Sequence, residues 1–290
     1  MQLVRNNTKL KVPPAVAEYW SELKVKTSST TNSKSVDNVP AVTCQPTNSD
    51  YIVGPLLQTA WAQGEPYNYL CPIGQYSAGH TPTGCVATAM AQVMYYWKYP
   101  SNYNWNIMPI VSNFEPINYP GNQDVAQLML DIGYSVDMQY NDNGSNPVDG
   151  FLDPPISCTT ALKNTFHYSS SSEGSYDENK VQVNLNAGQP VLLSASTDNH
   201  PFLYWNWGDD GHEWVCDGYN ESSFTYCMYG PTGPEYGESF VTLHMNWGWN
   251  EAGEPSDVDG WYNINDWTVQ NGDITEVFQY NAAMTYNIHP

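Results

Sequence analysis

The chain has 290 residues, 41% of them hydrophobic and only 13% charged, about half the usual charged share. That supplies apolar material for a large core and leaves the surface to Asn, Ser, Thr, Gln and Tyr. Six of the nine basic residues (Arg5, Lys9, Lys11, Lys24, Lys26, Lys34) lie in the first 34 positions against Glu18 and Glu22, net +4, which leaves −25 on the rest of a chain totalling −21. So acidic a body argues against tracking a nucleic-acid backbone, and no apolar run approaches the roughly 18 residues of a membrane span.

In chain order, the opening MQLVRNNTKLKVPP lacks the apolar h-region of a signal peptide, so an export signal is not contained in this chain. Pro13-Pro14 followed by Ala15, Val16, Tyr19, Trp20 and Leu23 predicts a short amphipathic helix, and the Ser/Thr/Asn-rich run Thr27 to Asn38 predicts a linker. From Tyr51 to Pro72, turn residues surround a short apolar stretch that ends at Trp61.

The stretch Thr81 to Pro100 organises the rest. Val86, Ala89, Met90, Val93, Met94 and Trp97 repeat with the period of one helix face, and Ala87 and Ala91 keep the other side small. Pro82 and Gly84 forbid an earlier start and Pro100 ends the helix. Cys85 therefore falls in the first turn of a buried helix, where unpaired N–H groups and the helix dipole stabilise a thiolate. A buried cysteine alone is more often an inert small hydrophobe. Placed just after Gly84, it reads as an accessible nucleophile of lowered pKa.

Asp124 to Gly133 predicts a second helix with Asp124 as cap and Val125, Leu128, Met129 and Ile132 on one face. Asn141 to Asp153 is a polar loop without EF-hand spacing, and Ser157 to Tyr168 predicts a third helix. After Pro190 the pattern turns to strands: Val191–Leu193, Glu213–Cys216, Phe224–Cys227, Val241–Asn246 and Gly260–Ile264. Helices first and strands later predict an α+β chain. The six cysteines (Cys44, Cys71, Cys85, Cys158, Cys216, Cys227) show no CxxC spacing, which argues against a zinc site; their pairing is not readable from spacing.

Several spaced motifs, in order, resemble the streptopain family of bacterial cysteine peptidases. These are Trp61-Ala62-Gln63, Pro66-Tyr67-Asn68, Cys71-Pro72, Gly84-Cys85-Val86-Ala87-Thr88-Ala89, Leu130 to Met138, Gly188-Gln189-Pro190-Val191, Gly211-His212 with Cys216-Asp217-Gly218-Tyr219, and Asn246-Trp247-Gly248-Trp249. The resemblance runs from about Tyr51 to the C-terminus. It implies a papain-like two-lobed fold, a helical lobe plus an antiparallel β-sheet lobe, with the active site in the cleft between them. It divides the chain into 1–50, the remnant of a propeptide and its linker, and 51–290, the catalytic domain. It implies a secreted, cell-surface or periplasmic endopeptidase that works without a cofactor or metal on protein or peptide substrates, through a Cys-His dyad and an acyl-enzyme, and that processes its own propeptide.

Among the histidines, His212 follows Gly211 at the start of a predicted strand, 127 residues after Cys85, and His244 competes because it shares a strand face with Asn246. The resemblance favours His212 as general base. By the same resemblance Gln63 is the oxyanion donor. Asn246 is the candidate acceptor that orients the imidazole, with Trp247 and Trp249 shielding that bond; Gly84 and Gly211 support the two reacting residues. Glu213 and Trp214 depart from the small and aromatic residues the family places after its histidine, and Pro231 to Glu238 reads as an insertion. Two other readings use the same residues or none of them: an amidase or acyltransferase on this scaffold, and a non-catalytic surface module suggested by 22 Tyr and 11 Trp.

Overall fold

The computed structural model describes residues 43–111, 118–147, 157–198, 211–249, 258–271 and 274–290. The helix anticipated at 13–23, the linker at 27–38 and the last part of the 141–153 loop lie outside the described residues. Cys44 to Pro290 forms one compact unit.

Four helical segments are described: α1 (Cys85–Trp97), α2 (Asn122–Ser135), α3 (Cys158–Thr160, continued as a π-helical turn over Ala161–Thr165) and α4 (Glu178–Asn186). Every residue of α1 from Cys85 to Met94 is buried, because alanines on one side and longer apolar chains on the other let neighbours close in all round. Helix α2 begins two residues before the anticipated cap. Its N-cap is Gly121 at φ 87°, where a Cβ would lie 1.8 Å from the Ile107 carbonyl oxygen, so only glycine makes that turn. The third helix is shorter than Ser157–Tyr168 suggested: Ser157 caps it by accepting from the Thr160 N–H at 3.2 Å, and His167 at φ 60° lies beyond its end. Helix α4 has no counterpart among the anticipated elements, because only Val181, Asn184 and Leu185 turn inward from an otherwise polar segment.

The main sheet has seven strands, antiparallel throughout, in the order β4-β11-β5-β6-β7-β8, with β1 also paired to β6. They are β1 (Thr47–Val53), β4 (Ser170–Ser175), β5 (Val191–Ser196), β6 (Gly211–Cys227), β7 (Glu235–Asn246), β8 (Gly260–Asn263) and β11 (Tyr280–His289). Small two-stranded sheets join β2 (Met138–Gln139) to β3 (Asn146–Pro147) and β9 (Thr268–Asn271) to β10 (Ile274–Val277).

The two strands anticipated at 213–216 and 224–227 are one 17-residue strand, β6. It stays continuous because one edge is covered in relay, by β5 along Gly211–Cys216 and by β1 along Tyr219–Thr225, while β7 follows the other edge. A register shift between Cys216 and Gly218 separates the two halves. A disulfide between Cys44 and Cys227 ties the start of β1 to the end of β6. The segment read as an insertion, Pro231 to Glu238, holds the β6–β7 turn and the start of β7.

Strand β6 divides the core. Val215 belongs to the cluster built around α1 and α2 with Met90, Met94, Leu128 and Ile132, whereas Trp214 and Cys216 belong to a second cluster with Leu243, Trp247, Trp267 and Phe278. Alternation along one strand thus sends neighbouring side chains into different layers.

Candidate active site

Cys85 opens α1. Its N-cap, Gly84, holds φ 89°, and a Cβ there would lie 2.5 Å from the Ser145 carbonyl oxygen, so the turn that presents the cysteine admits only glycine. The cysteine is 8% exposed and its sulfur takes a backbone hydrogen bond from Glu213, the residue after His212 on β6. Helix α1 packs on β6, so Cys85 is brought to the strand that carries the histidine. Burial, followed by the nearby Glu213 carboxyl, pushes the Cys85 thiol up to about 11, against hydrogen bonds from Glu213, Val86 and its own backbone that pull it down. The accessible, low-pKa thiol anticipated from helix position alone is therefore corrected: desolvation outweighs the amides of the helix start.

His212 lies on the other face of β6, buried in an aromatic cage. Its ring centroid is 4.4 Å from that of Trp249, 5.7 Å from Phe278, 5.9 Å from Trp247 and 6.0 Å from Trp214. Nε2 is 2.8 Å from the Trp247 carbonyl oxygen. A carbonyl only accepts, so Nε2 carries the proton and the neutral ring keeps its lone pair on Nδ1, the tautomer a general base requires. Burial pulls the imidazole down to about 4, opposed by that hydrogen bond. In this structure neither Cys85 nor the His212 ring takes the other as hydrogen-bond partner.

The acceptor anticipated on Asn246 is supplied instead by the backbone of the next residue. Asn246 is committed elsewhere: Oδ1 accepts from Gln92 Nε2 at 2.9 Å and from the Gly248 N–H at 3.2 Å, and Nδ2 donates to the Thr59 carbonyl at 2.9 Å. Gln92, fully buried on α1, also accepts from Thr59 Oγ1 at 2.9 Å. This knot joins α1, the segment leading to Gln63 and the turn at Trp247, and so it sets the spacing of all three. The sequence carried one sign of it, a glutamine in the middle of an apolar helix. Gly248, at φ 69°, lets the turn approach α1; a Cβ there would touch Thr88 Cγ2 at 3.0 Å. The Trp247 N–H is held by Asp259 Oδ1 at 2.8 Å.

Gln63 is half-buried, and its carbonyl accepts from the Thr83 N–H at 3.0 Å, two residues before Cys85. Its side-chain amide has no hydrogen-bond partner among the described residues. Gly211 starts β6 opposite Ser196 of β5. The competitor His244 is engaged on the neighbouring strand: Nδ1 lies 2.6 Å from Asp217 Oδ1, whose other oxygen accepts from the Leu57 N–H at 2.9 Å. It is a strut between β7, β6 and the chain after β1.

A cavity of about 650 Å³ lies beyond the opposite end of α1, lined by Tyr103, Asp131, Tyr134, Phe166 and His167 among others, and takes in none of these groups. Among the described residues no three His, Cys, Asp or Glu side chains group as a metal-ligating set, and no described helix is long and apolar enough to cross a membrane.

Comparison with known proteins places this geometry. The chain is 29% identical over 236 residues to the thiol protease/hemagglutinin PrtT of Porphyromonas gingivalis, covering 68% of this chain and 23% of that protein. It is 27% identical over 227 residues to streptopain of Streptococcus pyogenes, covering 64% of this chain and 50% of that protein. The chain thus spans half or less of the length of these relatives. Among solved structures, active interpain A cysteine protease of Prevotella intermedia aligns with a TM-score of 0.59 and 26% identity, over 82% of this chain and 96% of that one. A mutant prointerpain A fragment from the same organism aligns at 0.55 and 24% identity, over 95% of this chain and 82% of that one. Both neighbours carry the papain-like α+β arrangement of helices against an antiparallel sheet. Residues 61–103 and 101–262 match the peptidase C10 family, and these spans contain the loop of Gln63, the helix of Cys85 and the strands of His212 and Asn246. The chain therefore belongs to the peptidase C10 family of cysteine peptidases.

Proposed function

We propose that the chain is a secreted endopeptidase that hydrolyses peptide bonds through a Cys85–His212 dyad and an acyl-enzyme. The observation that carries this reading is the convergence of three chain segments: Cys85 at a glycine-gated helix start, its sulfur against the backbone next to His212, and the Gln63 loop bonded two residues away. With a thiol near 11 and an imidazole near 4, the resting pair at neutral pH is thiol and neutral ring. For the reaction the His212 ring must turn from its aromatic cage to the face of β6 that holds Cys85, where Nδ1 removes the thiol proton as the sulfur attacks the scissile carbonyl. The tetrahedral oxygen takes the Gln63 amide and the N–H at the start of α1. Collapse expels the amine, which leaves with the proton held by His212, and water releases the acid from the thioester by the same steps in reverse.

Export is supported by the Cys44–Cys227 disulfide, a bond that persists in oxidising compartments. Residues 1–50 hold propeptide sequence and its Ser/Thr-rich linker, and the enzyme trims itself by cutting within the linker, between Lys24 and Val42. Such a cut falls before Cys44, so β1 stays covalently attached to β6. The test is N-terminal sequencing of aged wild-type and Cys85→Ala protein together with an assay on mixed peptides. Trimming and peptide cleavage by the wild type alone support the reading; identical trimming in both samples removes self-processing, and absence of peptide cleavage removes the peptidase.

A further inference from the structure

Glu213 is a buried acid that the reaction above does not use. It follows His212 on β6, its backbone bonds the Cys85 sulfur, and the residue is only 7% exposed. Oε1 accepts from the Cys158 thiol at 3.1 Å. Among the described residues the carboxylate has no other side-chain partner; the described ion pairs are Lys180–Asp177 and His244–Asp217. A second acid, the exposed Glu173 on β4, adds its charge to that of Glu213. A thiol is a weak donor, and a buried carboxylate left without a counter-charge is costly. An apolar side chain would fill the same space without that cost. The position is electrostatically incomplete, and it adjoins both reacting groups: His212 precedes it in the chain, and its charge acts on the Cys85 thiol.

We propose that Glu213 determines specificity, and that this site takes peptides with a Lys or Arg side chain within two residues of the scissile bond, the cation pairing with the Glu213 carboxylate. This rests on the peptidase reading. A charge-assisted bond in a buried setting is strong, and a site built to make it rejects a side chain that cannot. A neutral side chain leaves the carboxylate unpaired, and an acidic one adds repulsion from Glu213 and Glu173 together. The net −25 outside the first 34 residues attracts basic chains at longer range, whereas Glu213 selects among them at the cleft.

The test compares peptides that differ at one position near the scissile bond, Lys, Arg, norleucine or Glu, using the active protein and Glu213→Gln. Norleucine keeps the lysine stem and removes the charge. The wild type should cleave the Lys and Arg peptides with kcat/KM roughly 10- to 100-fold above norleucine, the worth of a hydrogen bond to a charged group, with the Glu peptide lowest. In Glu213→Gln the Lys-to-norleucine ratio should fall toward one, mostly through KM. A wild-type ratio of one overturns the inference without any variant, so misfolding of Glu213→Gln does not shelter it. An undiminished ratio in folded Glu213→Gln overturns it too. Cleavage of all peptides alike would sink the specificity and leave the peptidase standing, whereas cleavage of none would sink both.

Discussion

The two faces of β6 hold two titratable groups in adjacent positions, and burial moves them in opposite directions. His212 faces aromatic rings and a single carbonyl, and its ring is pulled down to about 4. Glu213 faces two thiols and a more distant acid, and its carboxyl is pushed up to about 7. Each environment disfavours the charged form, so the base is kept neutral and the acid is kept from full ionisation at neutral pH. The lesson is that a sheet strand one residue wide separates a proton acceptor from a charge that opposes formation of the thiolate.

The largest effects expected from breaking this arrangement are at the reacting groups. Cys85→Ala and His212→Ala should each abolish peptide turnover while circular dichroism shows a folded chain, and His244→Ala should keep substantial activity. An inactive, folded His244→Ala would move the base to β7. Loss of one oxyanion donor comes next: Gln63→Ala should lower kcat roughly 10²- to 10³-fold, and an unchanged rate would remove Gln63 from the site.

Stability gives the third effect and tests the acid face directly. The Glu213 carboxyl has a folded pKa near 7 against 4.5 unfolded, so the folded state holds the extra proton between those values. Stability attributable to it falls as pH rises from about 4.5 to about 7 and is flat above, a loss on the order of a few kcal/mol. His212 runs the other way, losing stability as pH falls from about 6.5 to about 4. Thermal melts of Glu213→Gln relative to wild type should therefore gain more at pH 8 than at pH 5. Equal shifts at the two pH values would mean the carboxyl is not held protonated by its surroundings.

The smallest effect concerns the thiol. With the opposing carboxyl removed, Cys85 in Glu213→Gln should alkylate faster than in wild type at pH 8, because one cause of its raised pKa is gone while burial, the larger cause, remains. A slower rate would show that the Glu213 charge does not act on the sulfur.

Much of the helical side is legible in the amino-acid sequence. The period of Val86, Ala89, Met90, Val93 and Met94, bounded by Gly84 and Pro100, places Cys85 at a helix start because helix signals are local and lie within one turn of the residues they govern. Helix α4 and strands β1, β4 and β11 are not legible there. Their sequences are too polar or too short to show a period, and they exist through tertiary partners: β1 pairs with β6, β11 with β5, β4 with β11, and α4 packs on this sheet. The disulfide belongs with them, since Cys44 and Cys227 are 183 residues apart and nothing local joins them.

By itself the sequence determined which residue types are present for thiol chemistry and that Cys85 opens a buried helix. Only the tertiary structure decided their states and partners. Asn246 faces Gln92 and Thr59 while the Trp247 carbonyl holds the imidazole, an exchange between neighbours that depends on where the turn through Gly248 meets α1. Whether Cys85 is a thiolate or a thiol is likewise a property of the space around it. Amides at a helix start favour the anion, burial beneath β6 beside Glu213 favours the neutral form, and the second requires the two layers to be packed before it exists.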